Sequence, residues 1–203
     1  MFRTVVYVSL LICFATSFAQ GQTAYVEEVL THRQDKDEKY ADKDKSPVPD
    51  EYLTDFGGLN YFEVDSSFKV QATLERLEKP SPHTFNTTKA QKKRTYILYG
   101  TVHFTMKGEK SKLTIYYAPI SGPLRKKKKM LFLPFRDKTN GISTYGGGRY
   151  LEVEDTKGDE LTLGFNKAYN PYCAFGGDVG CVVRQRDNLI EVGVMAGEKE
   201  FLP

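Results

Sequence analysis

The sequence has no tryptophan, only 3 histidines and only 3 cysteines in 203 residues. That scarcity removes the usual zinc ligand sets, because His32, His83 and His103 show no ligand spacing around the cysteine pair Cys173 and Cys181. No metal and no cofactor is expected. There is no G-x-S-x-G elbow, no Ser-His-Asp order and no G-x-x-x-x-G-K-[ST] loop, so the common hydrolase and phosphate-loop signatures have no foothold. Neither sign of charge dominates: 29 basic against 26 acidic residues leave a net of +3. That balance does not imply a nucleic-acid partner. No internal repeat is evident.

Long apolar runs are also missing beyond the first residues. MFRTVVYVSLLICFATSFAQ reads as an export signal over residues 1–19. Arg3 supplies the positive end, Val5 to Phe14 the apolar stretch, and Ser17-Phe18-Ala19 the small residues before cleavage. The apolar run is shorter than the roughly 20 residues a membrane span needs. Ile12 stands before Cys13 where lipidation would want a small residue. The mature chain is therefore expected to be periplasmic or secreted, with no transmembrane segment. Cys173 and Cys181 then face an oxidising compartment, and bracket AFGGDVG as either a disulfide or two buried thiols.

What the sequence does have is aromatic and glycine-rich: 13 Tyr, 13 Phe and 17 Gly. Residues 20–60 read as an N-terminal helix and a strap: 24–45 form a polar surface helix, with Ala24, Val26, Val29 and Leu30 near one face and a second half prone to fray. A strap containing Pro47 and Pro49 follows. From Tyr61 to the end at 203 the period becomes two. FKVQATL alternates apolar and polar residues, KPSPHTFNTT reads as a loop, and TYILYGTVHFTM is apolar on both faces and so central. KGEKS turns into KLTIYYAP, and MLFLPF, ISTYGGGRYLEVE, DELTLGFN and NLIEVGVMAG add strands. The expected fold is mainly β: one antiparallel barrel or sandwich of about eight to ten strands with an N-terminal helix.

Three segments invite a functional reading. Arg125, Lys126, Lys127, Lys128 and Lys129 form either a solvated turn guarding a sheet edge or a patch for an acidic partner or lipid surface. Asn86-Thr87-Thr88 is a sequon too short to carry weight. In FRDKTNGISTYGGGRYL, Asp137 and Thr139 suit a tight turn. Gly146, Gly147 and Gly148 mark either a sharp bend or backbone amides approaching an anion, with Arg136, Tyr145, Arg149 and Tyr150 alongside. In FNKAYNPYCAFGGDVGC, Asn166 and Asn170 flank Tyr169. Tyr169, Tyr172 and Phe175 form an aromatic wall around Cys173. The discriminating question is whether Asp137, Arg149, Asn166 and Asn170 converge on one cavity.

Together with AGE near the end, GLNYFEVDSSFKVQA and YGTVHF, these motifs resemble the bacterial family called domain of unknown function 1684 over about residues 25–199. The resemblance implies that Arg136, Asp137, Thr139, Tyr145, Gly147, Arg149, Tyr150, Asn166, Tyr169, Asn170, Pro171 and Cys173 fall on family motif positions. It brings no activity with it. VVRQRDN after Cys181 stands where the family would have proline-rich sequence. Three functions remain: a non-catalytic binding protein for a small anionic or polar ligand; a hydrolase or lyase using Asp137, Tyr145, Tyr169, Arg149 and Cys173; or an envelope interaction protein. His103, on a central strand, fits a structural or surface role.

Overall fold

The computed structural model describes residues 21–119, 130–176, 180–182 and 187–202, and of residues 3–20 the helical backbone alone. The leader side chains, Cys13 and the Arg125–Lys129 run lie outside the described residues.

Helix α1 (Arg3–Ala41) precedes a short α2 (Asp50–Leu53) in the proline strap. Six strands follow: β1 (Lys69–Asn86), β2 (Lys93–Met106), β3 (Glu109–Tyr117), β4 (Met130–Phe135), β5 (Arg149–Glu154) and β6 (Glu160–Gly164). They form one antiparallel sheet in the order β5-β4-β3-β2-β1-β6. The two outer strands, β5 and β6, approach each other, so the sheet is a nearly closed barrel.

Alternation sets the interior. Phe68, Val70, Ala72 and Leu74 point inward, opposite Val102, Phe104 and Met106, and join Leu113, Ile115, Leu131, Leu133, Leu151 and Val153. Each buried leucine or isoleucine contributes about 1.5–3 kcal/mol. The same alternation turns Phe132 and Tyr150 outward, where Tyr116, Phe85 and Val182 bury them in a second cluster with Tyr96 and Leu98 packed on. A register shift between Leu98 and Gly100 moves Tyr99 to the inner cluster, so β2 is apolar on both faces only where both faces are covered.

The strand count is six among the described residues, below the eight to ten expected, for three reasons. KPSPHTF is not a loop but the second half of β1. β6 pairs only with Lys69–Thr73, so Pro80 and Pro82 lie where no β6 partner needs a donor, beyond a register shift between Arg76 and Ser81. ISTYGGG is a turn, and β5 begins only at Arg149. NLIEVGVMAG is an extended strap whose Ile190, Val194 and Ala196 are fully buried; it makes an isolated bridge to Arg136 rather than a strand ladder, and Arg149 binds its Val194 and Ala196 carbonyls.

α1 also departs from expectation. Its buried face is Tyr25, Val29, Arg33, Lys36 and Tyr40, while Ala24 and Leu30 are exposed. The second half does not fray. Arg33 donates to the carbonyls of Phe62 (2.9 Å) and Asn166 (3.4 Å), and lies over the Tyr61 ring. Asp37 accepts from Leu59 N (3.1 Å) and the Tyr61 hydroxyl (3.0 Å). Lys36 is ion-paired with buried Glu198.

Candidate functional site

α1 does not sit flush on the barrel. Between its second half, the outer face of β2, β4 and β5, and residues 169–172 and 180–182 lies a groove of about 690 Å³, a size typical of small-ligand sites. Strand alternation supplies its floor: Arg94 and Tyr96 from β2, Met130 and Phe132 from β4, Tyr150 and Glu152 from β5. Tyr96 stacks on Phe132 with centroids 4.6 Å apart; Phe132 meets Tyr150 edge-on at 4.8 Å, and Tyr150 meets Tyr169 at 5.8 Å. Across from this aromatic ladder, His32, Asp35, Lys36, Lys39 and Tyr40 project from α1 at helical spacing.

The far wall is FNKAYNPYC folded back on β5. Tyr150 and Tyr169 exchange both backbone hydrogen bonds at 2.9 Å, and the Tyr150 hydroxyl donates to Val182 O at 3.1 Å. Cys173 and Cys181 form a disulfide that closes the segment beside the groove. The bond consumes the thiol on which a Cys173 nucleophile would depend.

Electrostatically the groove is mixed, with Lys36, Lys39 and Arg94 against Asp35 and Glu152. Burial, then Lys167 and Lys36, hold His32 below its ordinary value, so it is largely neutral at neutral pH. Burial, reinforced by Glu152, pushes the Tyr169 phenol up; burial and Glu198 do the same for Tyr40. These tyrosines are protonated hydrogen-bonding groups, unsuited to act as bases.

Asn170 has a special place. Its backbone N–H donates to Glu198 Oε2 at 2.8 Å, and its side-chain Nδ2 donates to Lys199 O at 2.7 Å. A carbonyl can only accept, so the amide nitrogen must face Lys199. The side chain is 1% exposed, and its Oδ1 has no donor.

Of the four residues whose convergence was the question, only Asn170 lines this groove, together with Tyr150, Tyr169 and Cys181. Arg149 lies fully buried in the interior. It donates to the carbonyls of Val194 (2.7 Å), Glu198 (3.1 Å) and Ala196, and to Asp137 Oδ2 at 3.1 Å. The other Asp137 oxygen accepts from Thr139 N (2.8 Å), Thr139 Oγ1 (2.5 Å) and Val194 N (3.1 Å). This cluster nails the C-terminal strap to the barrel. Gly148, at φ 81°, is the one member of the glycine run with positive φ. It places Arg149 for that inward turn. Gly146 is exposed beside Gly141, Gly147 and Tyr145 are half-buried, and Arg136 is exposed with its backbone bonded to Asn188 and Ile190. Asn166 binds Asp65 O (2.7 Å) and the Tyr25 hydroxyl (3.1 Å), clasping α1.

Sequence reasoning missed His32, Lys36, Lys39, Tyr40 and Arg94. The signal was present on α1: positions 25, 29, 33, 36 and 40 share a face, but two of them, Arg33 and Lys36, are cations that read as solvent-facing until their heads find buried acceptors.

Among the described residues, no helix is long and apolar enough to cross a membrane, and no group of His, Cys, Asp and Glu could hold a metal ion. A small antiparallel barrel, with a helix laid across a tyrosine-floored groove on its outer face, is the class of protein this geometry defines. The chain belongs to the family described as Protein of unknown function (DUF1684), which matches residues 54–199. It is similar to an uncharacterized protein of Haloarcula marismortui solved by NMR in solution. That similarity has 33% identity and a TM-score of 0.70, and covers 89% of this chain and 96% of that one. No curated protein matches the chain.

Proposed function

We propose that the protein is an exported, non-catalytic binding protein for a small planar anion, held in the groove between α1 and the barrel. The observation that carries this reading is the juxtaposition of aromatic rings (Tyr96, Phe132, Tyr150, Tyr169) with two cationic side chains, Lys39 on the α1 wall and Arg94 on the floor. Flat apolar faces offer stacking, and the ammonium and guanidinium groups offer charge-assisted hydrogen bonds to a carboxylate. The apolar leader and the disulfide support export. The enzyme reading has less support, since Asp137 and Arg149 are buried against each other and the strap, away from the groove, and Cys173 is oxidised.

Titration with biphenyl-para-carboxylate, followed by amide shifts of isotopically labelled protein, tests the proposal. Shifts should map to Tyr96, Phe132, Tyr150, Tyr169 and the second half of α1. Replacing Lys39 and Arg94 together by glutamate should weaken binding by about tenfold or more. Shifts scattered over the surface, or unaltered affinity in the double variant, would remove the support for this site.

A further inference from the structure

One charge on the groove floor opposes an anion. Glu152 is exposed and lines the groove, where its carboxylate would repel a bare acid. Strand register fixes where it lies. On β5 it shares the outer face with Tyr150, and it sits directly across from Phe132 of β4. Tyr96 of β2 stacks on the same Phe132 from the other side. The Glu152 carboxylate accepts one long hydrogen bond, from the Tyr169 hydroxyl at 3.4 Å. Among the described residues no ion pair reaches it, and none reaches Lys39 or Arg94. Burial raises the Tyr96 pKa; beneath that effect Arg94 lowers it and Glu152 raises it. Both charges therefore act on one groove-lining hydroxyl without joining each other.

We infer that the ligand of the groove is a zwitterion, a planar aromatic acid whose far end carries an ammonium group received by Glu152. This rests on the reading of the groove as an anion site and adds the cation that the ligand must carry. Chemistry separates the two ends. Lys39 and Arg94 can only donate, so they take the acid, while a carboxylate accepts, so Glu152 takes the ammonium. Spacing separates them too. Arg94 on β2 and Glu152 on β5 are three strand intervals apart, each about 4.8 Å in a flat sheet and spanning less across a curved one. That favours charges at opposite ends of an aromatic frame over charges on neighbouring atoms, as in a simple α-amino acid. Tyr96 and Phe132 lie between the two charged residues and offer the frame its apolar contact.

The test uses the full mature chain and matched probes: biphenyl-para-carboxylate, its meta- and para-aminomethyl derivatives on the distal ring, and the hydroxymethyl derivatives at the same positions. Hydroxymethyl keeps the size and a donor but removes the charge. At least one aminomethyl isomer should bind about fivefold more tightly than its hydroxymethyl counterpart, and added salt should erode that preference. Glu152→Gln should abolish the preference while binding the unsubstituted acid at least as tightly as the wild type, because a repelling charge is gone. Glu152 is exposed, so this variant keeps the fold. If the unsubstituted acid binds in the groove but no aminomethyl isomer gains over its hydroxymethyl partner, the zwitterion inference is overturned and the anion site stands. A preference that survives Glu152→Gln overturns it as well. If the unsubstituted acid does not bind, the anion site itself falls, and this inference with it.

Discussion

Arg149→Met separates a structural arginine from a ligand-contacting one. Methionine keeps much of the stem but removes every donor. Four acceptors then lose their partner: the carbonyls of Val194, Ala196 and Glu198, and Asp137 Oδ2. Each stranded buried acceptor costs about 1–3 kcal/mol, and breaking one side of a fully buried ion pair costs about 3–5 kcal/mol. The strap can relax and admit water, so these costs do not sum; about 4 kcal/mol is the expected loss. That is a large share of the roughly 5–15 kcal/mol typical of a domain. Urea unfolding at neutral pH should show a much lower midpoint, and limited proteolysis should cut first in the strap around Val194. Adding Asp137→Asn should recover part of the loss, because it keeps an acceptor for Thr139 and Val194 while removing the uncompensated charge. A loss below about 1 kcal/mol, with biphenylcarboxylate binding abolished, would refute the reasoning and return Arg149 to the ligand.

Two further outcomes follow from the same geometry. Gly197→Ala places a methyl 2.5 Å from Ala168 O and 2.8 Å from Phe165 O at φ +77°. It should cost about 3 kcal/mol in thermal or urea unfolding. Gly146→Ala meets only ordinary contacts at 3.7 Å and should stay within about 0.5 kcal/mol; equal losses would contradict this account of the glycines. His32 gives a pH dependence. Burial, Lys167 and Lys36 lower its pKa from 6.5, while Asp35 opposes them. A bound carboxylate would raise that pKa, so affinity for biphenylcarboxylate should increase as pH falls, by about two- to fivefold for so exposed a pair. His32→Gln should flatten that profile. In the unliganded protein the sign is opposite. The depressed pKa gives a small stability that is complete above pH 6.5 and lost as pH falls through the folded value. A flat wild-type binding profile would take His32 out of the site.

The barrel was legible because period-two alternation is a local signal: FKVQATL and MLFLPF place their apolar residues where the core needs them. What was not legible depended on partners distant in sequence. Pro80 and Pro82 look like loop residues until β6 is seen to stop short of them. NLIEVGVMAG looks like a strand because it is buried, yet two of its carbonyls, those of Val194 and Ala196, are bound by a guanidinium 45 and 47 residues earlier.

The same reason explains why the glycine-rich motif did not point to the groove. Glycines, arginine and aspartate in FRDKTNGISTYGGGRYL resemble a cradle for an anion, and they do cradle one: the buried carboxylate of Asp137, along with the carbonyls of the strap. A polar cluster that serves the chain's own backbone and one that serves a ligand use the same residue types. Sequence cannot separate them, but placement in the fold can. Both carboxylate oxygens of Asp137 are engaged by the chain itself in the interior, whereas Lys39 and Arg94 line the groove. The strap links the two. Arg149 holds Ala196 and Glu198 by their carbonyls, Glu198 aligns Asn170, and Lys36 brings α1 onto the same carboxylate. The α1 wall of the groove lies before residue 54, outside the family match, while the floor lies within it.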